Sequence, residues 1–318
     1  MAGSLPEGFR FIHKIPPTPL VPVTLDGAGE IWCKLEFLNP SGSTKDRIAR
    51  HILEKAWRNA VIQEGDTVVE ASSGSTSIAL ALVCAQLGLK FIAFIPESAT
   101  DERAWIIQAY GGEVRRVSGG MGEVLELAHN EAEANHWFQV RQFANLDNVE
   151  AHRIGTGREI LTQIPGGYVD AVVSGIGTGG TLQGLYEASV SAGCAAKAVA
   201  AIPRDSGVFG ENVECCSLKF SANVPGVVDG LSELYSNWRE TLPEGVLEEI
   251  NVDCGLCLDL TRQLWSKGFP VGPSSGLNIA AAHVIKNKLG ADARVVTVFP
   301  DRMERYFSHK VFEDLRDS

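Results

Sequence analysis

Short runs rich in β-branched residues alternate along the chain with longer stretches whose apolar positions recur every three or four residues. Thr67–Glu70, Lys90–Ile95, Glu113–Val117, Val169–Ser174, Lys197–Ile202 and Arg294–Phe299 read as strands. Asp46–Ala60, Ser77–Leu87, Gly122–Asn135 and Asn278–Leu289 carry the helical period. Such alternation predicts right-handed βαβ units, mostly parallel twisted sheets flanked by helices, and hence an α/β fold. Glycine supplies 33 of the 318 residues and gathers at the strand-to-helix turns. In folds of this kind, ligands bind at those turns, beyond the carboxyl ends of the strands.

At roughly 150 residues per domain, the length predicts about two domains. A break near His152 suits the pattern, between one sheet unit ending around Phe143 and another starting at Tyr168. The composition is 45% hydrophobic and 21% charged, enough apolar material for a large core. The net charge is −11, and no Lys/Arg cluster exceeds a dipeptide, so a nucleic-acid partner is not expected. No apolar run approaches the roughly 18 residues of a membrane span. The start, MAGSLPEGFRF, lacks the basic and apolar regions of a signal peptide, so a cytoplasmic location is expected. Seven Cys cannot all pair within one chain, and free thiols are the expectation. The seven His form no HExxH or other close ligand cluster, so no metal is expected.

Four turns carry candidate chemistry. Asn39-Pro-Ser-Gly-Ser-Thr-Lys45-Asp-Arg47 sets Lys45 in the first turn of a helix. The electropositive helix start would lower its pKa and make it a better nucleophile, unless it is simply solvated. Glu70-Ala-Ser-Ser-Gly-Ser-Thr76 runs from a strand into small hydroxyl residues at a helix start, which suits a carboxylate or phosphate, or merely caps the helix. Ser174-Gly-Ile-Gly-Thr-Gly-Gly-Thr181 matches G-x-G-x-x-G at Gly175, Gly177 and Gly180. A dinucleotide site also needs an acidic residue about 20 positions on, and Asp205 comes late for that. Thr178 and Thr181 fit a single phosphate at a helix N-terminus better. Val271-Gly-Pro-Ser-Ser-Gly276 again leads into a helix, with Ser274 or Ser275 as a cap or a ligand. Cys254-Gly-Leu-Cys257 near a helix start reads as two buried thiols or as a pair with lowered pKa.

Taken together, NPSGSTKDR, ASSGST, GIGTGGT and GPSSG resemble, in order and separation, the cysteine synthase and cystathionine β-synthase family. Its members are pyridoxal-phosphate enzymes of the tryptophan synthase β-subunit fold. Gln142-Phe-Ala-Asn145, Thr156-Gly157 and Phe299-Pro-Asp301 with Glu304-Arg-Tyr306 extend the resemblance from about Pro17 to Tyr306. It implies a smaller domain at 39–151 carrying the substrate turn, and a larger phosphate-binding domain at 1–38 plus 152–318. Lys45 would join pyridoxal 5′-phosphate as a Schiff base and act as base at Cα. Gly177, Thr178, Gly179, Gly180 and Thr181 would hold the phosphate, and Ser274 the pyridine nitrogen. Ser72, Ser73, Gly74 and Thr76, with Gln142, would hold the substrate α-carboxylate, and Ser75 would face the cofactor's 3′-oxygen.

The activity so implied is a β-replacement through an α-aminoacrylate intermediate: O-acetylserine plus sulfide to cysteine and acetate, as in cysteine biosynthesis. A cysteine desulfhydrase, which is a lyase, or a transferase using another nucleophile stands beside it on the same fold. A nicotinamide-dependent Rossmann oxidoreductase is the alternative from another class. A homodimer and a serine acetyltransferase partner are implied by resemblance only. The chain departs from the pattern at Ser75, where the family has Asn, at Ser72, where it has Thr, and at Gly226–Leu231, which replaces a GIGAGF-like loop. These departures bear on the substrates more than on the cofactor. A haem-binding extension and a C-terminal regulatory domain, as in the large regulated cystathionine β-synthases, are not expected.

Overall fold

The computed structural model describes residues 15–25, 29–206, 212–213, 223–227 and 231–316. Cys215, Cys216, residues 228–230 of the Gly226–Leu231 loop and the first 14 residues lie outside them. The first half holds β1 (Leu20–Val23), β2 (Ile31–Lys34), α1 (Lys45–Arg58), β3 (Thr67–Ala71), α2 (Ser75–Leu87), β4 (Lys90–Pro96), α3 (Asp101–Ala109), β5 (Glu113–Val117), α4 (Met121–Asn135) and β6 (Phe138–Gln139). There follow α5 (Asp147–Ala151), a π-helical turn (His152–Gly157), α6 (Arg158–Gln163), β7 (Ala171–Gly175), α7 (Gly180–Ser191), β8 (Lys197–Ser206) and β9 (Asn212–Val213). The chain closes with α8 (Glu233–Thr241), β10 (Leu247–Asp253), α9 (Cys254–Ser266), α10 (Pro273–Leu289), β11 (Val295–Val298) and the short α11 (Glu313–Arg316).

Two sheets result. β5-β4-β3-β6 form one, parallel throughout. The other runs β1-β2-β11-β7-β8-β10, with β9 beside β8. Its central pairs are parallel and only β1 and β9 run antiparallel. Strands covered on both faces read as continuous apolar runs, as AVVS in β7 and VVTV in β11 do. The helix α2 is buried nearly all round and shows no polar stripe. The helix α1, by contrast, buries Ile48, Ile52, Leu53 and Ala56 and turns Lys55 and Arg58 outward.

All six expected strands and all four expected helices form, with ends shifted by a few residues. The largest shift is at α10, which starts at Pro273 rather than Asn278. Proline at the first helical position needs no amide partner, so Pro-Ser-Ser-Gly is the opening turn of the helix and not a loop. Around His152 the backbone is a continuous helical run from α5 through the π turn into α6. Cys33, Cys84, Cys194, Cys254 and Cys257 are buried thiols. Among the described residues, no helix is long and apolar enough to cross a membrane.

Candidate active site

The four turns meet at one cleft beside the carboxyl ends of β3 and β7. Lys45 enters from the first residue of α1, Ser73, Ser75 and Thr76 from the turn into α2, and Gln142 from the loop after β6. Gly177, Thr178, Gly179 and Thr181 line it from the turn after β7, and Ser274 from the start of α10. Ser72, Gly74 and Gly180 stand behind the lining. Ser72 Oγ lies 2.6 Å from Ser77 Oγ and accepts the Gly74 amide at 3.1 Å, so it ties the turn together from inside. Gly74 has φ 135°, and a Cβ there would fall 2.3 Å from Arg103 Cδ. Only glycine satisfies both conditions. At Gly180 a Cβ would sit 2.1 Å from Asn148 Oδ1.

Burial in the cleft lowers the pKa of Lys45, as does the Arg305 charge; Asp301 and Glu36 act in the opposite sense. The direction is the one expected from a lysine at a helix start, but the main cause is desolvation.

The turn after β7 leaves no room for side chains at Gly177, where a Cβ would meet Gly226 O at 2.5 Å. Thr178 Oγ1 accepts from Asn148 Nδ2 at 2.8 Å and from the Gly180 amide at 3.3 Å. Its own O–H donates to no other group among the described residues, and the residue lines the cleft. Thr181 Oγ1 lies 3.2 Å from His152 Nε2, whose other nitrogen is 3.0 Å from Thr156 Oγ1. Burial, helped by the Lys45 charge, brings His152 down to about 3, so the ring is neutral at pH 7. Asn278 secures the floor. Its Oδ1 accepts the Gly175 amide at 2.7 Å and its Nδ2 donates to Val298 O at 2.8 Å.

Ser274 is the second residue of α10 and Gly272 is its N-cap, with no side-chain capping bond. The serine therefore lines the cleft without acting as a cap. Gln142 is already engaged within the protein: Nε2 donates to Ala71 O at 2.8 Å and Oε1 accepts from Thr76 Oγ1 at 2.6 Å. Glu70 lies beneath it, fully buried, and burial raises its carboxyl to about 8.

Residues that no local pattern singled out complete the wall. Asn148 and His152 steady the two threonines. Arg103 and Asp301 face the cleft. Asp301 stands in the Phe299-Pro-Asp301 segment, which the resemblance had marked without a role.

A family model described as pyridoxal-phosphate dependent enzyme matches residues 13–301. The chain belongs to this family. A cysteine synthase of Staphylococcus aureus (strain Mu50) is 35% identical over 308 residues, 95% of this chain and 96% of that protein. Among solved structures, a hydrogen sulfide-producing enzyme from Fusobacterium nucleatum superposes with TM-score 0.83 at 30% identity, over 96% of this chain and 92% of that one. An O-acetylserine dependent cystathionine beta-synthase from Helicobacter pylori gives TM-score 0.82 at 28% identity, over 94% and 96%. The chain is thus a pyridoxal-phosphate-dependent enzyme of the α/β fold expected, and the nicotinamide reading is set aside.

The residues present fit that cofactor. A glycine turn that no Cβ could share leads into α7, and two threonine hydroxyls flank its start. That is the donor set a phosphate monoester needs. A lysine of lowered pKa and a neutral serine face the same space.

Proposed function

We propose that the enzyme catalyses β-replacement on an amino acid, forming cysteine and acetate from O-acetylserine and sulfide. The observation that carries the reading is the convergence on one cleft of Lys45, the Gly177–Thr181 turn and Ser274, with the hydroxyl turn 72–76 opposite. When bound, pyridoxal phosphate supplies an electron sink for charge that develops at the substrate Cα.

The protein's part is division of labour. Thr178, Thr181 and the amides of Gly177 and Gly179 hold the phosphate, with Gly180 packed behind the turn. Ser274 offers the ring nitrogen a neutral partner, which keeps the sink weak and favours loss of a β-substituent over transamination. Ser73 and Thr76 hold the α-carboxylate, with Ser72 and Gly74 shaping the turn and Gln142 orienting Thr76. Ser75 reaches the 3′-oxygen side. Lys45, its pKa lowered by burial, takes the Cα proton as acetate leaves Cβ; sulfide then adds at Cβ and Lys45 returns the proton to Cα.

Two neighbours support the donor and mark the rival. One is O-acetylserine dependent by its description. The other produces hydrogen sulfide, which favours a second reading in which cysteine is the substrate and sulfide the product. The two are separated by supplying O-acetylserine, O-phosphoserine, serine or cysteine, each with and without sulfide, and identifying products by mass spectrometry. Cysteine formed from O-acetylserine and sulfide is expected. Sulfide released from cysteine, with no cysteine formed from any donor, overturns the synthase reading. We extend the proposal to a cytoplasmic homodimer with domains at 39–151 and at 1–38 plus 152–318, and to serine acetyltransferase as a partner by resemblance. Sedimentation of the enzyme alone and with serine acetyltransferase checks the assembly.

A further inference from the structure

We propose that Arg103, Asp301 and Tyr306 are positioning residues that hold the 72–76 turn in its binding shape and thereby set the affinity for the amino-acid substrate. This rests on the reading that the turn receives the α-carboxylate.

The observations form a closed ring around the turn. Arg103, on α3, donates from Nη1 to Ser73 O at 2.9 Å. Its aliphatic stem fills the place that a side chain at residue 74 would need. Its guanidinium lies 4.8 Å from the centre of the Tyr306 ring. Tyr306 Oη donates to Asp301 Oδ2 at 2.7 Å, and Ser75 Oγ donates to the same oxygen at 3.1 Å. The path therefore leaves the turn at Ser73 and returns to it at Ser75. Arg305 adds a contact from Nη1 to Ser75 Oγ at 3.3 Å.

The ring's members are buried: Arg103 is 3% exposed, Asp301 6% and Tyr306 1%. Among the described residues, Arg103 makes no salt bridge, and its buried Nε has no hydrogen-bond partner. A buried cation left without a carboxylate is costly unless it serves the site. Here its charge is spread over a ring face and a carbonyl while it faces the cleft that would receive an anion. The segment that supplies Asp301 and Tyr306 also grips the turn before Lys45: Thr44 N donates to Pro300 O at 2.8 Å, and Arg305 Nη2 to Ser41 O. One C-terminal segment thus aligns the base and the carboxylate turn with each other.

The test is a titration of the holoenzyme with L-serine, read as the change in the cofactor's visible spectrum, for the wild type and for Arg103→Lys, Tyr306→Phe, Ser75→Ala and Thr76→Ala. Arg103→Lys and Tyr306→Phe should each weaken binding about tenfold, while cofactor retention after dialysis is unchanged. Tyr306→Phe with Ser75→Ala should be non-additive, since both break the link through Asp301. Ser75→Ala reports on the ring even if a buried substitution fails to fold. Wild-type affinity in Tyr306→Phe and Ser75→Ala, with Thr76→Ala impaired, overturns the inference and leaves the carboxylate reading standing. Wild-type affinity in Thr76→Ala overturns both. Equal loss of cofactor and of serine binding in Arg103→Lys and Tyr306→Phe reduces the ring to general structural support and overturns it as well.

Discussion

His152 Nε2 and Thr181 Oγ1 lie 3.2 Å apart, joining the π-helical turn to the first turn of α7. The approach depends on Gly184, where a Cβ would fall 2.6 Å from His152 Cβ. A neutral histidine and an asparagine therefore back the two threonines of the 177–181 turn, and neither is a charged competitor for an anion.

Thr178 and Thr181 should hold the cofactor rather than drive the chemistry. A hydroxyl bond to a charged acceptor contributes about 1.5–3 kcal/mol. The double alanine variant should lose pyridoxal phosphate on dialysis, followed by visible absorbance, and its apoenzyme should melt lower, because Asn148 and His152 lose their buried partners. Undiminished retention would remove this turn from the phosphate site.

Lys45→Ala should abolish the borohydride-fixable link between cofactor and chain. In the wild type, the lowered pKa of Lys45 means that the neutral amine prevails at a lower pH than for an ordinary lysine near 10.4. The rate at which apoenzyme captures pyridoxal phosphate should rise with pH and level off below that value. Asp301 favours the charged amine, so Asp301→Asn should move the midpoint lower still. A midpoint at the ordinary lysine value is the adverse result.

Ser274→Asp puts a carboxylate where we propose that a neutral hydroxyl meets the ring nitrogen. A protonated ring is a stronger electron sink, so β-replacement should slow and side transamination should increase, with new absorbance at longer wavelength. Rate and spectrum both unchanged would mean that Ser274 does not touch the ring.

Glu36 and Arg47 form a buried ion pair beneath Lys45. Arg47 Nε is 2.6 Å from Glu36 Oε2, and its Nη1 reaches Glu159 at 2.7 Å. Burial alone would raise Glu36, but the Arg47 charge and hydrogen bonds prevail and bring it from 4.5 to about 2. A depressed folded-state carboxyl stabilises above its unfolded pKa and loses that stabilisation as pH falls through the folded value. Acid unfolding should therefore set in between about 4.5 and 2. Arg47→Met, which strands a buried carboxylate, should cost about 3–5 kcal/mol in urea at pH 7, and adding Glu36→Leu should recover part of it.

Much of this protein is legible in the amino-acid order alone. Strand-to-helix turns announce themselves by local chemistry: small hydroxyl residues and glycines placed directly after a β-branched run and before a helical period. That locality makes β3, β7, α2 and the chemistry-bearing turns legible in the residue order. What escapes is of two kinds. The four-residue β1 and β2 and the two-residue β6 and β9 are too short to show a period, β10, Leu-Glu-Glu-Ile-Asn-Val-Asp, is an edge strand whose charges mask it, and α3, α5, α6, α8 and α9 are not among the expected helices. The start of α10 hides because Pro-Ser-Ser-Gly has loop composition in a helical position. The second kind is contact at long range. Ser75 meets Asp301 across 226 positions, and Arg47 meets Glu159 across 112. No local propensity encodes such pairs; only the packing of α1, α2, α3, the π-helical turn and the C-terminal segment around two sheets brings them together. Local residue order sets which turns suit a phosphate or a carboxylate, because backbone conformation there depends on neighbours a few residues away. Long-range packing, in contrast, desolvates Lys45, keeps His152 neutral and sets Arg103 behind the 72–76 turn, because burial and distant charge fix those properties.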